Sequence, residues 1–224
     1  MNDVNSLPHF FLAQVPDKTD ARNYLNNAAA MAELHGARVL AKQTAENVET
    51  LESGTPSASI LLAEFAGRAS LTEFWHDNDQ QSIFSQITSG DPLVLAAPGL
   101  PPEGLPDMME IPTTASVTPP PDRGPRAYMI IQGTGTDEAR MDQYRDIILP
   151  MLKEQGAYYT AFEIEGNTEV LAGTWPYEIL AVSRWPDHAA GHAFWDSDRY
   201  QNKAIPVRTG AGSFWVHFMI GETG

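Results

Sequence analysis

Two extended stretches of this sequence put groups that could do chemistry at equivalent positions. In "ILLAEF", Ile60, Leu62 and Glu64 alternate onto one side of a strand, and 120 positions later, in "ILAVSRW", Leu180, Val182 and Arg184 do the same. A carboxylate held by a guanidinium can orient a substrate or take a proton. Glu64 is therefore read as a candidate base, with Arg184 facing the same space to bind substrate. The plainer reading is an edge salt bridge or two solvated charges, and such pairs contribute little. His217 alternates with Trp215 and Met219 in "SFWVHFMI". There it could line a pocket as a general base or haem-like ligand, or be a core histidine with its bonds satisfied. Gln14 and Gln132 recur in strand-like segments near the start of each half and would bind rather than react. Arg38 opens a strand and is the better anion-binding candidate of its stretch, because the neighbouring His35 is as well placed to cap a helix end.

Other patterns carry less. His188 and His192, in "HAAGH", have the four-residue spacing that can put two imidazoles on one metal, but the Glu of a metallopeptidase helix is missing and no third ligand is evident. They are read as surface histidines, and no metal is expected. "GTGT" from Gly133 lacks the third glycine of a dinucleotide loop, and no Ser-centred nucleophile elbow occurs. No organic cofactor is implied.

The elements that must position these residues come in duplicate. "LTEFWHDNDQQSIF" from Leu71 and "GHAFWDSDRYQNKAI" from Gly191 both carry Phe-Trp followed by Gln six residues past the Trp. The same offset of 120 pairs Gly36-Ala37 with Gly156-Ala157 and Tyr24 with Tyr144. Such a register marks two homologous units. We place them at residues 8–97 and 126–222, with a Pro-rich linker over 98–125 that favours extended chain.

In the second unit, "AYMIIQG" reads as a strand, and Asp137 caps a helix with apolar residues at helical spacing. Pro150 is expected to kink that helix near its end, which Gly156 then stops. "AYYTAFEI" and "TEVLAGTW" read as strands around a hairpin signal at Gly166-Asn167, and "YEILAVSRW" as a buried strand. A second helix opens at Pro186-Asp187, and "SFWVHFMI" closes the unit. The fold class is thus α+β, built from two ferredoxin-like βαββαβ units.

Composition sets outer limits. The 224 residues carry 29 Asp and Glu against 14 Lys and Arg, a formal charge of −15 that would repel a phosphate backbone, so nucleic acid is not expected as a partner. The absence of cysteine removes disulfides and thiolate chemistry. No apolar run approaches the roughly 20 residues that span a bilayer. The start lacks the marks of a signal peptide, which leads to the expectation of a cytoplasmic protein without a membrane partner.

The second unit, through "AYMIIQGTGTD", "LAGTWP", "AFWDSDRYQNKAI" and Arg208, resembles the DUF1330 family of dimeric α/β-barrel proteins; the first, through "HGAR", "AEF" and "EFW", is a more diverged relative. The resemblance implies that the two units pack sheet to sheet as an intrachain barrel around a pocket. It also adds Trp175 and Arg208 as candidate substrate-binding residues, beside Arg38, Gln132, Tyr158 and Arg184. The units depart from the pattern in complementary ways. The first keeps His35 and Arg38, where the second has Gln155 and Tyr158. The second keeps Trp175 and Arg208, where the first has Pro56 or Ser57 and Thr88. The expected site therefore draws mainly on the second unit and borrows Glu64 from the first. The reading is a cofactor-independent acid/base enzyme, an isomerase, lyase or cyclase acting on a small hydrophobic, carbonyl or carboxylate substrate, with Glu64 or His217 catalytic. A non-catalytic small-molecule-binding module and a haem or oxygenase-type protein stand as alternatives, and assembly into a homo-oligomer is left open.

Overall fold

The computed structural model describes residues 7–16, 19–52, 58–88, 90–105, 110–118, 124–164 and 166–222. Pro56, Ser57 and the linker stretches 106–109 and 119–123 lie outside the described residues. The first half of the chain runs β1 (His9–Pro16), α1 (Thr19–Leu34), β2 (Arg38–Gln43), β3 (Glu49–Glu52), β4 (Ala58–Phe65), α2 (Arg68–His76), α3 (Asn78–Phe84) and β5 (Leu93–Pro98). The second half runs β6 (Ala127–Gly135), α4 (Glu138–Glu154), β7 (Tyr158–Glu163), β8 (Glu169–Ala172), β9 (Ile179–Trp185) and α5 (His188–Trp195). A π-helical turn (Tyr200–Ala204), α6 (Ile205–Arg208) and β10 (Gly212–Ile220) complete it.

These elements form an α+β fold with two antiparallel five-stranded sheets, ordered β2-β4-β1-β5-β8 and β3-β10-β6-β9-β7. Four strands of each sheet follow the ferredoxin-like order. The fifth comes from the other half of the sequence: β8 extends the first sheet along β5, with Leu95 opposite Val170, and β3 lies beside β10 in the second. Neither sheet closes into a barrel. The exchange corrects the hairpin read at Gly166-Asn167, because β7 pairs with β9 and β8 with β5. A turn signal specifies a chain reversal but not a partner, and β5 offers a ladder edge that β8 fills.

By contact, the chain divides into two compact units, one of 1–50, 55–99 and 166–176, the other of 51–54, 100–165 and 177–224. In the first, Phe11, Ala13, Leu61, Ala63 and Phe65 turn one sheet face onto Leu25, Phe74 and Trp75 of the helices. In the second, Met129, Ala181, Trp185, Val216 and Phe218 do the same against Ile148, Leu152, Phe194 and Trp195. Each strand thereby assigns its alternate residues to the helix-free face.

The repeated motifs have structural roles. Gln81 Nε2 donates to the Trp75 carbonyl at 2.5 Å and Gln201 Nε2 to the Trp195 carbonyl at 2.7 Å, so the Gln six residues past each Trp ties off a helix end. Gly36 and Gly156 take positive φ of 77° and 70°, and the following Ala37 and Ala157 donate back to Ala32 and Leu152, which closes each long helix with a left-handed glycine. At Pro150, α4 does not break but continues to Glu154, its neighbours Leu149 and Met151 buried in the core. The described linker residues pack onto the second unit: Ile111 is buried in its core, the Leu100 N–H donates to the Thr160 carbonyl, and the Tyr159 N–H donates to the Pro112 carbonyl.

Candidate functional site

The helix-free face of the second sheet gathers four of the residues singled out by sequence. Register arranges its side chains in three rows. Met219, Tyr128, Arg184 and Tyr158 form the first; His217, Ile130 and Val182 the second; Trp215, Gln132 and Leu180 the third. His217 and Gln132 are each only 2% exposed.

Among the described residues, neither ring nitrogen of His217 has a hydrogen-bond partner, and burial lowers the pKa of the imidazole. The same face carries two further buried nitrogens without partners, Arg184 Nε and Trp215 Nε1. Arg184 Nη1 donates to the Tyr158 hydroxyl, and the guanidinium stands 5.6 Å from the Tyr158 ring centroid. Trp215 is set against Tyr177, ring centroids 4.1 Å apart. A buried polar group left unpaired costs about 1–3 kcal/mol, so several on one face of one sheet need a reason. They are two unpaired N–H donors and an imidazole whose charged form burial disfavours.

The first sheet is built differently at the matching positions. Gln14 lies opposite Ile60 as Gln132 lies opposite Leu180. Arg38 and Glu64 hold the register positions of Tyr158 and Arg184, and Arg38 donates to Glu64 at 2.6 Å. The arginine of this pair is 66% exposed and its carboxylate 23%. Leu95 stands opposite Leu12 where His217 stands opposite Ile130. The first sheet thus has a leucine where the second has its buried imidazole.

Arg208 and Trp175 sit elsewhere. Trp175 follows β8 within the first unit. Arg208, 4% exposed, lies on the helix side of the second sheet, where it donates to Glu52 and stands 5.3 Å from the Tyr144 ring and 4.9 Å from that of Phe214. Burial works to lower the Arg208 pKa, but Tyr144, Tyr200 and Glu52 outweigh it and leave it raised. The hydroxyls of Tyr144 and Tyr200 are 3.1 Å apart, and desolvation raises the pKa of both. Sequence reasoning missed this cluster, since nothing in the spacing of residues 52, 144, 200 and 208 marks them as neighbours. His188 stacks on Phe218 at 4.8 Å, and His192 Nδ1 lies 2.9 Å from Asp196.

Residues 10–91 and 126–221 match the family described as a domain of unknown function, DUF1330. The chain belongs to this family. No curated protein matches the sequence. Among solved structures, the chain resembles a protein of Fusobacterium nucleatum provisionally assigned as a monooxygenase, with a TM-score of 0.55, 8% identity, and 97% and 94% of the two chains covered. It also resembles an anthrone oxidase-like protein, with a TM-score of 0.51, 10% identity, and 99% and 93% covered. A chlorite dismutase of Candidatus Nitrospira defluvii aligns at a TM-score of 0.48 and 12% identity, over 96% and 91%. The first two speak for a fold of the dimeric α/β-barrel type, and at such identities for the fold alone.

Proposed function

We propose that this DUF1330 protein binds a small, largely apolar molecule bearing a carbonyl or carboxylate oxygen on the helix-free face of its second sheet, and moves a proton on it. The observation that carries this reading is His217: an imidazole 2% exposed, held neutral by burial, with both nitrogens unpaired among the described residues. Arg184 Nε and Trp215 Nε1 on the same face supply N–H donors for the substrate oxygen, and Gln132, opposite Trp215, adds polarity to that row. A neutral histidine can accept a proton from carbon or oxygen next to such a carbonyl, and the charge that then develops on the oxygen meets the arginine. Glu64 is held by Arg38 within the first unit, so the reading is built on residues of the second unit.

The test uses a panel of small aromatic and aliphatic ketones and carboxylates. Binding is followed by isotherm, and proton transfer by deuterium uptake at the carbon next to the carbonyl in D2O. Arg184→Ala is expected to weaken binding at least tenfold. His217→Leu, which installs the residue of the first sheet, is expected to retain binding and lose exchange. Binding without exchange in the wild type would make the protein a carrier or sensor; undiminished binding in Arg184→Ala would remove the site from this face.

A further inference from the structure

Helix α5 opens with His188, and His192 follows one turn later, the two ring centroids 4.6 Å apart. The strand β3, which lies beside β10 in the second sheet, opens with Glu49. A carboxylate oxygen of Glu49 and one nitrogen of each imidazole all lie within 4.8 Å of one another. We infer that Glu49, His188 and His192 form a site for a first-row divalent cation, with zinc as its best fit. The four-residue spacing in "HAAGH" offered two ligands, and the exchanged strand supplies the third.

The geometry suits the ion. Bonds of about 2.0–2.2 Å put the ligand atoms of a tetrahedral zinc site about 3.3–3.6 Å apart. Closing the present arrangement onto a metal therefore asks for about 1.5 Å of movement at most, from three side chains that are only half-buried. Both rings are already oriented. His188 lies flat on Phe218, at 11° and 4.8 Å between centroids, and His192 Nδ1 stands 2.9 Å from an Asp196 carboxylate oxygen. A carboxylate there holds the proton on Nδ1 and leaves Nε2 as the ligand atom, the arrangement that commonly supports metal-bound histidine.

The duplication says what the ion replaces. By the 120-residue register, Glu49, His188 and His192 correspond to Glu169, Arg68 and Thr72. Glu169 likewise opens an exchanged strand, β8 of the first sheet, and there Arg68 at the start of α2 donates to it at 2.9 Å. A strand carboxylate thus meets a helix cation in the first sheet, whereas in the second the arginine has become one of two imidazoles. A divalent cation between them would restore the positive charge.

The donor set chooses the metal. Two imidazoles and one carboxylate are the ligands of many zinc sites that keep a position open, whereas calcium takes six or more oxygens and magnesium keeps an oxygen shell. The N-terminus of α5 works against a cation, by less than a factor of ten in affinity. The Asp187 carboxylate, which caps that helix by accepting from the Ala190 N–H, opposes this effect. The site shares no residue with the His217 face, so either can fail without the other.

The experiment titrates the intact, untagged protein with zinc chloride by calorimetry and follows the histidine ring signals by NMR. One zinc per chain is expected, with a micromolar or tighter dissociation constant that excess magnesium does not change. The His188 and His192 signals should shift while those of His9 and His217 stay in place. His188→Ala, His192→Ala and the isosteric Glu49→Gln should each weaken zinc binding at least tenfold. Asp196→Asn, a positioning change, should weaken it about tenfold. Asp198→Asn, whose carboxylate bonds to Asn202, should leave it within twofold. Melting in the presence of chelator checks that each variant is folded; zinc at about 100 times its dissociation constant should raise the wild-type midpoint by about 5 °C and the His192→Ala midpoint by much less. No saturable zinc binding, undiminished affinity in either histidine variant or in Glu49→Gln, or an equal loss in Asp198→Asn, the mark of diffuse attraction to an acidic surface, would each overturn the proposal.

Discussion

Arg184 on β9 donates to the hydroxyl of Tyr158 directly across the ladder on β7, with the guanidinium drawn toward the ring. The same register positions in the first sheet hold Glu64 and Arg38, joined as an ion pair whose arginine is mostly in solvent. One duplicated position has thus become a surface salt bridge in one unit and a half-buried cation with an unpaired Nε in the other.

Their replacements should part company. Exposed ion pairs are worth about 0–1 kcal/mol, so Arg38→Ala is expected to shift the urea midpoint little and to leave ligand affinity unchanged. His35→Ala, which removes a contact of 3.5 Å to Asp77 in the first unit, should also spare ligand binding. Arg184→Ala should weaken binding strongly while the protein stays folded. Denaturation midpoints and isotherms on the three variants check this, and a larger binding loss in His35→Ala would move the site to the first unit.

His217 makes a prediction about acid. Burial lowers its folded-state pKa below the ordinary value near 6.5, so well above that value the ring is uncharged both folded and unfolded and contributes no pH dependence. As pH falls below about 6.5 the unfolded chain takes up the proton first, and stability drops until the folded-state pKa is passed. Wild type should therefore lose more melting temperature than His217→Leu on going from pH 7 to pH 5. Parallel acid limbs would show that the ring is not buried neutral.

Parts of this were legible from sequence because short-range patterns carried them. Period-two alternation put Glu64, Arg184 and His217 on the faces opposite the helices, and the 120-residue register located the paired helices. The exchange of β3 and β8 was not legible. Four-residue strands carry no signal for which ladder they join, and the turn at Gly166-Asn167 reads the same with either partner. The repeated Phe-Trp and Gln motif, read from sequence as the mark of a duplication, is in each unit a helix-end device. Arg208 was visible as a residue, but its partner Glu52 lies 156 positions away on one of the exchanged strands.

That pair is a stability element. Removing the carboxylate from a buried arginine costs about 3–5 kcal/mol when both groups are fully buried; Glu52 keeps 35% of its side-chain exposure, so Glu52→Gln should cost somewhat less, about 2–3 kcal/mol. Replacing both partners, Glu52→Leu with Arg208→Met, removes the uncompensated charge and should recover most of the loss. Urea unfolding of the single and double variants measures it, and a double variant as unstable as Glu52→Gln would contradict the account.

The helix-to-strand contact in each unit has been solved with opposite size order, and this gives the sharpest test of the duplication. Gly191 on α5 corresponds to Leu71 on α2, since Phe194-Trp195 aligns with Phe74-Trp75. Phe218, opposite Met129, corresponds to Ala96, opposite Phe11. A large helix residue and a small strand residue in the first unit become a small helix residue and a large strand residue in the second, and Leu71, Ala96 and Phe218 are all buried. A methyl at Gly191 would overlap the Phe218 ring, which is stacked on His188 and cannot easily retreat. Helix propensity alone would favour Gly191→Ala by about 1 kcal/mol, but overpacking of a core costs about 1–3 kcal/mol. The clash should win, lowering the melting temperature by a few degrees at about 2–4 °C per kcal/mol for a chain of this size. Gly191→Leu should be worse still, and Phe218→Ala should leave a cavity. The double variant, which restores the size order of the first unit, should be markedly more stable than the sum of its two single losses. Thermal melts of the three variants decide it: strictly additive losses would mean that the two positions do not share one packing site.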